Sequence, residues 1–112
     1  MAKLRLSPTA LEDLERIKGY ISKELSNPVS AENVVRRIIR DYKRLEDNPF
    51  LGPSLSTKVP FETDFRYLVS GRYIIVYKAT VQVVSIYNIF YGGQDYIKTL
   101  FGEEYAEETI HS

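Results

Sequence analysis

The stretch that decides the fold runs from Tyr73 to Phe90 and reads YIIVYKATVQVVSIYNIF. Tyr, Ile and Val dominate this stretch, and these residue types favour extended strands. Ala79-Thr80 interrupts the run, so we expect two strands joined by a tight connection. The second, Val81 to Phe90, is apolar on both faces, which predicts a central strand that is covered on both sides.

Two further strands and a short helix are expected around this stretch. Thr63 to Val69 is strand-like and Ser70-Gly71 reads as a turn, so the three runs predict an antiparallel meander. At the start of the chain, Lys3 to Leu6 alternates polar and apolar residues, as a half-buried strand does. After the meander, Asp95 to Phe101 is expected to form a short closing helix.

The segment between the first strand and the meander predicts a helical hairpin. Ser7-Pro8 indicates the start of a helix that reaches Leu25, and Ser30 is expected to cap a second helix that ends at Asn48-Pro49. Apolar residues at spacings of three and four form the buried stripe of the first helix: Leu11, Leu14, Ile17, Ile21 and Leu25. The second helix has its own stripe: Val34, Val35, Ile38, Ile39, Tyr42 and Leu45.

These elements define an α+β fold. An N-terminal strand is followed by a helical hairpin packed on an antiparallel sheet with a three-strand meander, and a short helix closes the chain. We expect a single domain over residues 1–102 and an acidic C-terminal tail over residues 103–112, which carries four glutamates and no lysine or arginine.

The composition excludes several kinds of chemistry. The 112 residues include no cysteine, so disulfides, thiolate nucleophiles and cysteine-ligated zinc are absent. The single histidine, His111, makes a histidine-based metal or acid–base site improbable, and we expect no metal and no cofactor. There is no signal-peptide core and no apolar run of membrane-spanning length, which predicts a cytoplasmic protein without a membrane partner.

Several short motifs occur together and in order along the chain. They are Ser7-Pro8-(x)2-Leu11-(x)1-Asp13-Leu14-(x)2-Ile17-(x)2-Tyr20, Asn48-Pro49-(x)2-Gly52, the run from Asp64 to Lys78 and the run from Ile86 to Tyr96. From Lys3 to about Phe101 the sequence resembles the RelE/ParE superfamily of type II toxin–antitoxin toxins. The resemblance implies a toxin that poisons growth and is held inactive by a cognate antitoxin.

The resemblance leaves two targets open. RelE-like members cut mRNA on the ribosome, whereas ParE-like members inhibit DNA gyrase and are not nucleases. The leading interpretation is a RelE-like, metal-independent mRNA endoribonuclease with the ribosome and mRNA as partners. The alternative is a non-nuclease gyrase inhibitor, or an attenuated toxin that acts mainly through antitoxin binding. A third interpretation is an interaction domain without toxicity.

RNA cleavage would require cations aimed at one phosphate and a group that moves a proton. The candidate catalytic residues are Arg66, Arg72, Tyr91 and Gln94, and the candidate RNA-binding residues are Lys78, Tyr96 and Lys98. Gln94 stands where RelE-like enzymes carry an arginine, and losing that cation would slow cleavage by roughly 10²–10³-fold. A solvated strand residue paired with Asp64 or Glu62 is an equally good interpretation of Arg66.

Antitoxin binding is expected to depend on a different surface. The second helix carries a cationic cluster, Arg36, Arg37, Arg40, Lys43 and Arg44. Composition alone favours a solvated helix face, but the same face suits an acidic antitoxin. Antitoxins of this type fold across their toxin, and the groove between the helical hairpin and the sheet is the expected docking surface.

Overall fold

A computed structural model describes residues 1–92 and 95–102. The described part has the predicted α+β architecture. Its strands are β1 (Lys3–Leu6), β2 (Arg66–Ser70), β3 (Tyr73–Ala79) and β4 (Val83–Tyr91). Its helices are α1 (Pro8–Gly19), which continues as a π-helical turn (Tyr20–Glu24), α2 (Pro28–Lys43) and α3 (Tyr96–Phe101). Short 3₁₀ turns cover Arg44–Glu46 and Leu55–Thr57.

The four strands form one mixed sheet in the order β1-β4-β3-β2. β2, β3 and β4 make the predicted antiparallel meander. β1 adds to this meander in the parallel direction, so that Lys3 lies opposite Val83 and Leu6 lies opposite Ile86. β4 is therefore a central strand, as its sequence predicts.

Side chains of α1 fix this helix to β4 at an irregularity in the β3–β4 ladder. Val76 lies opposite Asn88 whereas Tyr77 lies opposite Ile86, so β4 carries one extra residue there. At Tyr87, the extra residue, the Ser7 hydroxyl donates a hydrogen bond to the backbone carbonyl at 2.7 Å. Two residues further along β4, Asp13 Oδ2 accepts from the Ile89 N–H at 2.8 Å. α1 thus satisfies backbone groups that the bulged strand leaves unpaired.

The start of each long helix follows from its capping residue. Ser7 caps α1 as predicted, because its hydroxyl accepts from the Ala10 N–H. The prediction for α2 was wrong: Asn27 caps it, and its Oδ1 accepts from the Ser30 N–H. Pro28 then occupies the first turn of the helix, where a missing N–H costs nothing.

The buried stripe of α1 also differs from the prediction. Leu14, Ile17 and Ile21 are buried, but Leu11 and Leu25 are 53% and 59% exposed. Asp13 is buried instead, at 3% exposure, because its carboxylate is needed by β4. The main core therefore lies between one sheet face and the helical hairpin, with Ile38, Leu45, Ile75 and Val84 at its centre.

A second, smaller core covers the opposite face of the sheet. Val59 and Ile97 are buried there, and α3 packs beside them, as shown by the edge-to-face contact of Phe61 and Phe101 at 4.8 Å. β2 begins at Arg66 rather than at the predicted Thr63. The backbone of Thr63 instead bonds to the Ser56 hydroxyl, which ties it to a loop. Across residues 1–92 and 95–102, every helix is too short or too polar to cross a membrane.

Candidate functional site

An open cleft of about 760 Å³ lies between the helical hairpin and the end of the sheet that carries the β2–β3 turn. We call it the hairpin–sheet cleft. Its apolar surface comes from both layers of the fold: Ile17, Ile21, Val34, Ile38 and Ile89. The rim adds exposed apolar groups, because Tyr20 and Leu25 are 56% and 59% exposed. The groove that the sequence predicts between hairpin and sheet is therefore present.

Three tyrosines line the hairpin–sheet cleft: Tyr20, Tyr73 and Tyr91. Tyr73 of β3 and Tyr91 of β4 lie directly opposite each other, and their rings meet edge to face at 6.0 Å. Burial raises the pKa of the Tyr73 phenol, the neighbouring Tyr91 and Tyr20 raise it further, and Arg72 opposes them. Tyr73 is therefore neutral at physiological pH and can donate a hydrogen bond.

Three arginines line the same cleft: Arg16, Arg37 and Arg72. Arg16 is already neutralised, because its guanidinium pairs with Asp13. Within residues 1–92 and 95–102, Arg37 and Arg72 form no ion pair with a carboxylate. The cleft therefore combines an apolar floor with two positive charges that have no carboxylate partner in the described part of the chain.

A buried hydroxyl adds a polar group to the cleft. Ser70 ends β2, is 1% exposed and lines the cleft. Its Oγ has no hydrogen-bond partner among the described residues. Such a group costs about 1–3 kcal/mol when it is buried without a partner.

The candidate catalytic arginines lie at opposite ends of β2. Arg66 opens the strand, and its Nη1 donates to the Gly52 carbonyl at 2.6 Å while its guanidinium lies 5.0 Å from the Phe50 ring centre. Neither Asp64 nor Glu62 forms an ion pair with it. Arg72 lies beyond the other end, in the turn, and the strand between them is about 13 Å long at 3.3 Å per residue. The structure therefore brings Arg72 and Tyr91 together in the cleft and places Arg66 away from them, in a second pocket with Lys78.

The candidate RNA-binding residues lie on the opposite sheet face. The Lys78 ammonium lies over the rings of Phe65 and Tyr87, at 4.6 and 5.4 Å. Tyr96 stacks on Phe90 at 5.9 Å, and burial raises its pKa. Lys98 is exposed on α3. Gln94 lies outside the described residues, as does the acidic tail over residues 103–112.

The cationic cluster of α2 is divided between two surfaces. Arg37 alone faces the hairpin–sheet cleft. The others lie on the exposed outer face of the hairpin, which we call the outer basic face: Arg36, Arg40, Lys43 and Arg44. Two of them form long ion pairs: Arg36 Nη2 is 3.9 Å from Glu32 Oε2, and Arg40 Nη2 is 3.6 Å from Asp41 Oδ1.

Sequence reasoning missed four cleft residues: Arg16, Tyr20, Ser70 and Tyr73. The sequence contained a pattern that could have indicated the first two. Arg16 and Tyr20 are four residues apart, on one side of the helix, and lie next to the buried Ile17 and Ile21. No comparable signal marks Ser70, since its burial depends on how α2 packs over the end of β2.

Comparisons with known proteins agree with this architecture. A solved structure titled "Chromosomal ParDE TA system from P. aeruginosa" matches with a TM-score of 0.65 and 22% sequence identity, over 80% of this chain and 94% of the other. That likeness shows the fold. No curated protein matches the sequence significantly.

The fold and the family comparison define a type II toxin of the RelE/ParE superfamily. The family model described as "ParE toxin of type II toxin-antitoxin system, parDE" matches residues 4–96. The chain belongs to this ParE toxin family, and its partner is a cognate antitoxin.

Proposed function

We propose that this chain is a non-nuclease, ParE-like toxin that inhibits DNA gyrase in the cytoplasm and is silenced when its antitoxin fills the hairpin–sheet cleft. The observation that carries the proposal is the separation of Arg66 from Arg72 by the length of β2. Cleavage of RNA without a metal needs fixed cations around one phosphate, where charge develops in the transition state. Two guanidinium groups at opposite ends of a strand do not meet that requirement.

The surroundings of Arg66 support the same proposal. Its Nη1 bonds to the Gly52 carbonyl at 2.6 Å, and its guanidinium packs on the Phe50 ring. These contacts hold the loop before β2 against the sheet. A phosphate at Arg66 would have to compete with them, so Arg66 has a structural task that accounts for its presence.

The apolar character of the cleft supports antitoxin binding there. Tyr20 and Leu25 are exposed beside an isoleucine floor, and covering this apolar surface with a partner stabilises the complex. A partly disordered antitoxin can supply an amphipathic helix for such a groove. The outer basic face is then available to acidic residues of the same partner.

One observation favours RNA cleavage as a second candidate. Arg72 and Tyr91 share the cleft with Arg37, and a guanidinium pair beside a phenol can bind a phosphate and move a proton. This arrangement would require RNA to enter a cleft whose floor is apolar.

Two assays on the purified chain separate the candidates. We expect inhibited supercoiling and accumulated cleaved gyrase–DNA complexes, with translated mRNA intact by primer extension. Ribosome-dependent cuts that disappear in Arg66→Ala or Arg72→Ala would overturn the proposal in favour of a nuclease. Arg5→Ala is the matched control, because Arg5 is an exposed arginine on β1. Unchanged growth on expression without antitoxin would exclude both toxic activities.

A further inference from the structure

We infer that the hairpin–sheet cleft recognises one carboxylate side chain of the antitoxin, which is gripped by Arg37, Arg72 and the Ser70 hydroxyl at the β2–β3 turn. The inference rests on the proposed antitoxin docking in this cleft. The inference specifies which atoms of this chain recognise the antitoxin and which residue type the antitoxin must present to them.

The three groups lie together because the chain turns between them. Ser70 and Arg72 flank Gly71, whose φ of 59° puts it in the left-handed region that glycine adopts freely. The Arg37 Nη1 atom comes from α2 and would be 2.7 Å from a Cβ placed on Gly71. Glycine at this position thus lets the guanidinium of α2 lie against the turn that carries Ser70 and Arg72, and all three residues line the cleft.

Each of the three groups has unused binding capacity. Arg37 and Arg72 have no carboxylate partner within the described ranges, and the Ser70 Oγ has no hydrogen-bond partner there. Asp13, the buried acid near this cleft, already forms an ion pair with Arg16 and accepts a hydrogen bond from the Ile89 N–H. The turn therefore offers donors without an acceptor.

A carboxylate fits this set better than other acceptors do. Its two oxygens offer about four lone-pair sites, which can accept from two guanidinium groups and one hydroxyl together. The neighbouring surface is apolar, with Ile17, Ile38 and Ile89 on the floor. The fitting partner is a peptide helix that presents one Asp or Glu with apolar side chains three and four residues away.

An RNA phosphate is the competing occupant with similar donors. A nucleic acid would need cations spaced along its backbone, whereas this cleft concentrates Arg37 and Arg72 at one turn above an isoleucine floor. An antitoxin carboxylate therefore fits this cleft better than an RNA phosphate does.

The test uses calorimetry with the protein encoded by the reading frame adjacent to the toxin gene. Arg37→Gln and Arg72→Gln should each weaken binding roughly 10- to 100-fold, as expected for loss of a charge-assisted hydrogen bond. Arg5→Gln, the same change on exposed β1, should leave affinity within twofold. Ser70→Ala should weaken binding several-fold without lowering the thermal midpoint, because the lost hydroxyl has no partner in the free protein.

A double-mutant cycle identifies the partner's residue. One Asp→Asn or Glu→Gln change in the adjacent protein should lose its effect on affinity when Arg72 is already Gln. If no carboxylate couples to Arg72 or Arg37, or if both variants bind as tightly as the parent, the inference is wrong. Binding of a 12-nucleotide poly(U) RNA that depends on Arg72, with antitoxin affinity unchanged, would also overturn it. If the adjacent protein does not bind the parent chain at all, the proposed antitoxin docking fails instead.

Discussion

Replacing Asp13 by alanine should destabilise the fold by about 3 kcal/mol. The buried carboxylate accepts the Ile89 N–H at 2.8 Å, and Ile89 is only 2% exposed, so water cannot replace the lost acceptor. Removing a charged acceptor from a buried N–H leaves that donor unsatisfied, and the whole loss lies at the upper end of the range of about 1–3 kcal/mol. For a chain of this length, the thermal midpoint should fall by about 10–20 °C.

Urea unfolding followed by circular dichroism measures this loss, and two variants divide the carboxylate's roles. Asp13→Asn keeps an acceptor for the Ile89 N–H and should cost only about 1 kcal/mol. Arg16→Gln removes the ion pair but leaves the bond to β4, and it should cost less than about 1 kcal/mol because the Arg16 side chain is largely exposed. A loss in Asp13→Ala no larger than that in Arg16→Gln would refute the reasoning.

Four other predictions concern the loop before β2, the buried Tyr77 hydroxyl, alkaline pH and the outer basic face. Gly52→Ala should destabilise the protein by several kcal/mol in the same unfolding assay, because a Cβ there would overlap the Tyr67 carbonyl and come 2.8 Å from the Tyr77 hydroxyl. Tyr77→Phe should cost about 1–3 kcal/mol, since the hydroxyl accepts the Gly52 N–H at 2.8 Å. Burial raises the pKa of Tyr77, so above about pH 10 the unfolded chain loses this proton before the folded chain does, and stability falls there. The parent should therefore lose more stability at alkaline pH than Tyr77→Phe does. An equal loss in the two proteins would contradict this. Arg36→Glu with Arg40→Glu should weaken antitoxin binding by calorimetry, and unchanged affinity would remove the outer basic face from the interface.

Local sequence patterns were sufficient for the elements of this fold. The β-forming run from Tyr73 to Phe90 predicted two neighbouring strands, and the helical hairpin followed from spacings of three and four. The error in the buried stripe of α1 arose because a polar side chain had a distant partner. Asp13 reads as a surface residue of an amphipathic helix, but its partner is the Ile89 N–H on a strand at the other end of the sequence.

The cleft was predictable as a groove but not in its chemistry. Placing a helical hairpin on a sheet implies a groove, whereas the residues that line it depend on where α2 crosses the end of β2. That crossing selects Arg37 from five clustered cations and buries Ser70. The separation of Arg66 from Arg72 follows from strand length, but the hydrogen bond from Arg66 to Gly52 depends on a loop without a regular pattern.

The pairing of β1 with β4 has a consequence for synthesis of the toxin. Lys3 lies opposite Val83, so β1 can pair with β4 only after most of the chain has been synthesised. Ile89 and Tyr91, on that late strand, also complete the cleft. A chain that ends before β4 would have a helical hairpin without its sheet, an incomplete cleft and much exposed apolar surface. Completion of the cleft thus waits until the last strand has been synthesised.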